Sequence, residues 1–311
     1  MKDKLGREIN YLRISVTRRC NLNCSYCGHK KDSRGKELTP DEILTFTAAF
    51  AKKGITKVRL TGGEPLVRED IAEIAEGIKG TDGIKSLYIT TNGILLKKYA
   101  PLLKKAGVDG VNISLDTLDE RRYAELTGTN RLRSVKEGIE AALGQGFKSV
   151  KINSVLVKGK NDDEALRLME LARDNSLDVR FIELMPFSQT GENEKLVVTT
   201  AELLKKADFL YPDENVYEGT AEYYRADGFK GRVGFISPRS RKFCSSCNRI
   251  RLLCDGSVKP CLGNEISYDL MPFIENEELL DKKIEEVIFD KPLSHHFEKG
   301  EYFRGLNLIG G

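Results

Sequence analysis

The sequence predicts an α/β fold: a partial, TIM-like (β/α)6 barrel followed by a smaller C-terminal cap domain. Three observations predict it. Six short β-branched runs alternate with longer amphipathic ones between residues 11 and 184. The repeat stops two units short of a closed eightfold barrel, so the barrel is expected to stay open. After residue 186 the composition shifts and no further β–α repeat follows, which places the barrel at 1–190 and the cap at 191–311.

Candidate strands span 11–16, 57–60, 86–90, 110–115, 149–157 and 179–183, with helical patterns at 40–53, 69–79, 96–106, 134–145 and 163–174. Thr39 stands as N-cap before Pro40 at the first helical position, and Gly54 and Gly107 follow helix ends. Regular β–α alternation implies parallel strands and right-handed crossovers, with chemistry at the C-terminal strand ends. In the cap, 188–193 reads as a linker and 200–207 as a short helix. Residues 215–226 and 232–235 read as a hairpin through Gly228 and Gly231, and 250–255 as a strand.

Directly after the first strand come Cys20, Cys24 and Cys27, spaced C-x3-C-x2-C with Tyr26 before the last. Three thiolates in eight residues suit an iron–sulfur cube with one iron left open for a small molecule. A zinc site completed by His29 is the competing reading. Cys244, Cys247 and Cys261 form a second set of three in the cap, the first two preceding Asn248-Arg249-Ile250-Arg251-Leu252. A four-cysteine zinc ribbon through Cys254 competes here, as does Cys254 as a small buried apolar residue. Seven cysteines in a 311-residue chain disfavour a disulfide framework.

The second strand runs into Gly62-Gly63-Glu64-Pro65, where two glycines let backbone approach a ligand or simply make a βα turn. No Gly-Lys-Ser/Thr follows, so a phosphate loop is not indicated. Thr90-Thr91-Asn92-Gly93 and Ser114-Leu115-Asp116 end the next two strands, with helix capping as the alternative role for Asn92 and Asp116. Arg13, Arg59, Lys151 and Arg180 lie inside strands that should read as apolar. Buried cations need carboxylates, such as Glu64 and Glu183, or a bound anion. Arg13 with Ser15, and Lys151 with Asn153, share a strand face. A polyanionic substrate of triphosphate-like charge is expected.

Charged residues make up 31% but the net charge is only +3, which does not suggest nucleic-acid binding. No apolar run approaches the ~20 residues of a membrane span. The N-terminus is too charged for a secretory signal, and a cytoplasmic, reducing location is expected.

The first cysteine motif with Tyr26 and Gly62-Gly63-Glu64-Pro65 resembles the radical S-adenosylmethionine (SAM) enzymes. The resemblance implies a [4Fe-4S] cluster whose open iron takes the amino and carboxylate groups of SAM. It also implies reductive formation of a 5′-deoxyadenosyl radical. With Cys244-x2-Cys247-Asn248-Arg249-x-Arg251-Leu252, Cys261 and the tail Ile309-Gly310-Gly311, nearly the whole chain resembles the GTP 3′,8-cyclase family of molybdenum-cofactor biosynthesis. That resemblance implies a second [4Fe-4S] cluster on Cys244, Cys247 and Cys261. It implies GTP binding by Arg13, Arg59, Thr90, Lys151, Arg249, Ile250 and Arg251. Tyr26, Gly63, Ser114 and Met185 would line the SAM pocket, and Gly310 and Gly311 would reach into the active site, against the default of a frayed end. It further implies an external one-electron reductant, cyclic pyranopterin monophosphate synthase downstream, and a homodimer as the assembly. The sequence departs from the family at Gly28-His29-Lys30, where Met-Pro is common, at Arg18, where an acid is common, and at Cys254, where a small hydroxyl residue is typical. A radical SAM peptide-maturation enzyme is the alternative, and a non-enzymatic metal-binding protein a more distant one.

Overall fold

In the stretch Ser149–Val155, SVKINSV, burial alternates residue by residue. Val150 and Ile152 enter the apolar core, whereas Lys151 and Asn153 face the other way. The same alternation places Leu12, Ile14, Val58, Leu60, Leu87, Ile89, Val179 and Phe181 in one core with helix residues such as Ile43, Phe46, Ile74 and Ile78. The parallel strands are therefore apolar on the helix-covered face only. Their other face carries the basic residues, which is why these break the apolar pattern.

The computed structural model describes residues 1–28, 35–214, 219–297 and 305–310. His29, Lys30, residues 215–218 of the expected hairpin and Gly311 lie outside them. The barrel strands are β1 (Tyr11–Ser15), β2 (Lys57–Thr61), β3 (Ser86–Thr91), β4 (Gly110–Ser114), β5 (Ser149–Val155) and β6 (Asp178–Ile182). The helices between them are α1 (Pro40–Lys52), α2 (Ile71–Gly80), α3 (Leu96–Lys105), α4 (Glu120–Thr127), α5 (Leu132–Gly144) and α6 (Ala165–Asp174). Helix α1 starts as the sequence predicts: Thr39 accepts from the Glu42 amide at 3.2 Å, the Glu42 carboxylate accepts from the Thr39 amide at 2.8 Å, and Pro40 is first in the helix. Helix α4 was not anticipated, although Asp119 caps it and Gly128 ends it in the left-handed region.

The expected linker at 188–193 contains a single helical turn, α7 (Gln189–Glu192), because the Ser188 hydroxyl accepts from the Gly191 amide. Helix α8 (Thr200–Lys206) follows, then β7 (Tyr211–Pro212), β8 (Glu222–Arg225), β9 (Val233–Ile236), β10 (Arg249–Leu252), β11 (Ser257–Lys259) and β12 (Tyr268–Asp269). Strands β8 and β9 form the expected hairpin, with Tyr223 opposite Gly234. Helix α9 (Glu277–Phe289) and the short α10 (Leu306–Ile309) complete the chain.

All twelve strands join one sheet in the order β12-β11-β10-β1-β2-β3-β4-β5-β6-β9-β8-β7. The C-terminal part thus adds a parallel strand to each flank of the barrel, β10 beside β1 and β9 beside β6. The sheet ends on β12 and β7, so the barrel is open, as expected from six β–α units. No helix among the described residues is long and apolar enough to cross a membrane.

Candidate active site

The first cysteine loop leaves β1 and crosses the C-terminal ends of its neighbours. The Gly63 amide donates to the Thr17 carbonyl and the Glu64 amide to the Arg19 carbonyl, both at 2.8 Å. A Cβ at Gly63 would sit 2.4 Å from the Arg19 carbonyl oxygen, so only glycine admits the loop there. The Glu64 carboxylate is buried and accepts from Thr91 Oγ1, the Asn92 amide and the Leu66 amide at 2.6–3.0 Å. Burial raises its pKa to about 7 against those bonds. Asn92 donates to Asn21 in the cysteine loop at 2.7 Å, and its Oδ1 accepts from the Ile94 amide. Helix α3 has Leu95 at its N-cap and no side-chain cap, so Asn92 makes the anticipated strand-end contact and a local turn, and does not cap a helix.

Tyr26 donates to Asp116 at 2.6 Å, and the other Asp116 oxygen accepts from the Val155 amide. Asp116 ties β4, β5 and the cysteine loop together instead of capping a helix; burial lifts its pKa to about 6. Burial also pushes the Cys20 thiol up to about 11 and Cys27 to about 12, and raises Cys24 well above the ordinary thiol value. The three bear on one another as charges: Cys24 is acted on by Cys20 and Cys27, and Cys27 by Cys20. Among the described residues no three His, Cys, Asp or Glu side chains converge on a single ion-sized point. Buried thiols of this kind take their thiolate charge from bound iron. The donor set fits a three-thiolate cluster site.

At the other flank, the Cys247 amide donates to the Cys244 carbonyl in the turn that enters β10, and Cys261 follows β11. Burial alone would raise the Cys247 thiol. Arg249, whose Nη2 is 3.8 Å from its sulfur, and Lys291 outweigh burial and bring it to about 6. Cys261 is raised by burial, with Cys247 and Cys244 adding to the effect. Cys254 stands apart. It is fully buried, its carbonyl accepts from the Leu38 amide, and the charged groups that act on it are Arg18, Asp255 and Glu37. Burial pushes its thiol to about 12. The zinc ribbon through Cys254 is not assembled; Cys254 is the small buried residue of the other reading.

Between the two cysteine groups, strand register stacks the cations. Arg251 on β10, Arg13 on β1, Arg59 on β2 and Tyr88 on β3 are direct partners across four strands. Arg249 lies two residues along β10, opposite Tyr11. Arg59 donates to the Tyr11 hydroxyl at 2.5 Å and to Thr90 at 3.3 Å. Arg180 donates twice to Asn153 Oδ1, and Arg251 donates to the Gly310 carbonyl at 2.5 Å. The Thr90, Asn153 and Gly310 acceptors are neutral oxygens. Burial, then the neighbouring Arg59, Arg249 and Arg180, lowers Arg13 to about 10, while Tyr11 opposes the fall. Tyr11 itself is brought down to about 7, because Arg59, Arg13 and Lys57 outweigh burial.

Glu64 and Glu183 do not compensate these cations. Glu64 is committed to β3, and Glu183 accepts from the Arg239 and Ser240 amides. Lys151 instead finds Asp178 at 3.0 Å and the Tyr223 hydroxyl at 2.9 Å, and Asp178 also serves Arg232 at 2.8 Å. Ile250 sits between Arg249 and Arg251 with its side chain in the main core. Ser114 pairs in register with Asn153. Met185 packs on a second small core of Phe187, Leu253, Phe297 and Ile309, which seats the tail. The tail is held by the Leu306 amide on the Cys27 carbonyl, and Gly310 has φ +68°. Tyr11, Tyr223, Asp178 and Lys291 were missed as site residues. The parity of Tyr11 with Arg13 was the available signal for the first.

Residues 14–172 match the Radical SAM superfamily and residues 177–297 match Molybdenum Cofactor Synthesis C. The GTP 3′,8-cyclase of Clostridium acetobutylicum is 43% identical over 100% of both chains, and that of Alkaliphilus oremlandii 42% over 100% of both. That of Marinobacter nauticus is 40% identical over 100% of this chain and 98% of its own. Among solved structures, Streptococcus suis SuiB bound to S-adenosylmethionine superposes with a TM-score of 0.65 at 17% identity, covering 92% of this chain and 67% of that one. The chain belongs to the radical SAM superfamily and, within it, to the GTP 3′,8-cyclase family.

Proposed function

We propose that this chain converts GTP to (8S)-3′,8-cyclo-7,8-dihydroguanosine 5′-triphosphate, the first step of molybdenum-cofactor biosynthesis. The observation that carries the reading is the buried row Arg251–Arg13–Arg59, joined by Arg249 and Arg180, whose described partners include neutral oxygens where carboxylates would be needed. Guanidinium groups stacked in this way repel one another, and a triphosphate relieves that repulsion through charge-assisted, bidentate bonds.

Cys20, Cys24 and Cys27 hold the first [4Fe-4S] cluster, and Tyr26, Gly63, Ser114 and Met185 line the SAM pocket beside it. Cys244, Cys247 and Cys261 hold the second. When bound, the first cluster and SAM would supply the radical that removes hydrogen from ribose C3′; C3′ would then bond to guanine C8, and one electron from the external reductant with one proton would quench the resulting radical to give the dihydro product. The protein's task is placement. Arg13, Arg59, Thr90, Lys151, Arg249, the Ile250 backbone and Arg251 bind the nucleotide, with Lys151 already oriented by Asp178. The tail keeps Arg251 oriented through the Gly310 carbonyl. Residues 1–190 carry the first cluster, the SAM pocket and the nucleotide contacts of Arg13, Arg59, Thr90 and Lys151, and 191–311 carry the second cluster with the contacts of Arg249, Ile250 and Arg251. An external one-electron reductant, a cytoplasmic location, a homodimer and delivery of product to cyclic pyranopterin monophosphate synthase complete the proposal. The likeness to SuiB at 17% identity is one of fold, so it lends no support to a peptide substrate.

Anaerobic reconstitution followed by incubation with SAM, dithionite and GTP tests the reading. Formation of 5′-deoxyadenosine with a cyclised triphosphate isobaric with GTP is expected; SAM cleavage with GTP recovered unchanged would overturn it.

A further inference from the structure

Lys291 is 2% exposed, one of the largest fully buried side chains in the protein. A buried ammonium normally has a carboxylate; no described carboxylate pairs with this one. Its Nζ donates instead to two backbone carbonyls, Arg249 at 2.6 Å and Pro260 at 2.5 Å. Arg249 lies two residues beyond Cys247 and opens β10, and Pro260 directly precedes Cys261, which follows β11. The charge of Lys291 bears on both thiols.

The third cysteine is tied in by Arg7. Its guanidinium, paired with Asp3 at 2.6 Å, donates to the Cys244 carbonyl at 2.8 Å and to the carbonyls of Lys291, Pro292 and Leu293. Two buried cations therefore fasten all three cysteine-bearing segments to one another and to the loop after α9. A lysine held in this way costs desolvation energy that its two neutral acceptors only partly offset. A three-thiolate cluster, with its net negative charge, supplies the missing compensation.

We propose that Lys291 is the positioning residue of the second cluster, clamping the Cys247 and Cys261 segments and serving as the cluster's buried counter-charge. This rests on the second-cluster reading of Cys244, Cys247 and Cys261. The clamp and the charge are separable. Lys291→Met keeps the length and removes both, whereas Lys291→Gln keeps a neutral donor and removes only the charge.

The test is iron and sulfide content per chain after anaerobic reconstitution, with a potentiometric EPR titration of the clusters. Wild type should hold about eight irons and Lys291→Met about four, with the first cluster retained. Any second cluster held by Lys291→Gln should titrate at a more negative potential, because a nearby cation favours the more negative reduced state. Eight irons in Lys291→Met, or an unmoved second-cluster potential in Lys291→Gln, overturns the proposal. Four irons in wild type would instead remove the second-cluster reading itself, whatever the variants do. Should Lys291→Met fail to fold, the Lys291→Gln potential decides.

Discussion

Replacing Gly310 by alanine should undock the C-terminal tail without unfolding the barrel. At φ +68° an alanine pays roughly 1–2 kcal/mol for the left-handed conformation. Its methyl would also lie 2.7 Å from Thr61 Oγ1 and 2.9 Å from Ser15 Cβ. Both belong to barrel strands, and Thr61 is further fixed by its bond to the Ile14 carbonyl. The four-residue helix α10 is the softer partner, so the tail moves. Its movement breaks the Arg251–Gly310 bond, a charged hydrogen bond of about 1.5–3 kcal/mol. Together these amount to about 2.5–5 kcal/mol, or roughly two to more than three decades in the docking equilibrium. Hydrogen exchange of the Leu306 and Leu308 amides, which bond to Cys27 and Gly305, reads that factor directly. Exchange should accelerate there and stay unchanged in β1–β6, while GTP cyclisation falls as Arg251 loses its orientation. Wild-type protection of the tail together with wild-type turnover would refute the reasoning.

Cys24→Ser should abolish 5′-deoxyadenosine formation, whereas Cys247→Ser should keep some SAM cleavage and lose cyclised product, because misplaced substrate defeats hydrogen abstraction; product from Cys247→Ser would contradict the division of labour. Cys254→Ser should retain about eight irons and lose roughly 1–3 kcal/mol of stability from a newly buried hydroxyl, as read by thermal melting and iron analysis. Tyr11 has a pKa depressed to about 7, so the phenol is neutral below that pH and removes a positive charge from the cavity above it. GTP should therefore bind wild type and Tyr11→Phe alike well above that proton loss only if Tyr11 is inert; with the phenolate acting as described, the ratio of their dissociation constants shifts in favour of Tyr11→Phe as pH rises from about 6 to about 8, by up to about tenfold per unit above 7.

The β–α repeat was legible because each strand has one apolar face, and Thr39-Pro40 and the trailing glycines punctuate the helices. Helix α9 was legible too: Leu280, Ile284, Val287 and Ile288 repeat at helical spacing behind an Asn276 cap, but they lie in a region read only for cysteines. What the sequence could not supply was partnership across long separations. Nothing local in Arg249-Ile250-Arg251-Leu252 says that it will lie parallel to β1 and align Arg251 with Arg13. The choice of Asp178 over Glu64 or Glu183 as the partner of Lys151 follows from the register of β5 on β6, which fixes Lys151 opposite Asp178. Lys291 and Arg7 reach their sites only through the packing of α9 and the N-terminal residues against the second cysteine group.

In the proposed function, the arginine row holds GTP with its ribose C3′ facing the radical formed beside Cys20, Cys24 and Cys27. Turnover of GTP deuterated at C3′, in the presence of SAM and dithionite, tests it most directly. Deuterium is expected to appear in 5′-deoxyadenosine in step with cyclised product. Product formed with 5′-deoxyadenosine free of deuterium, or deuterium transfer undiminished in Arg59→Ala, would contradict it.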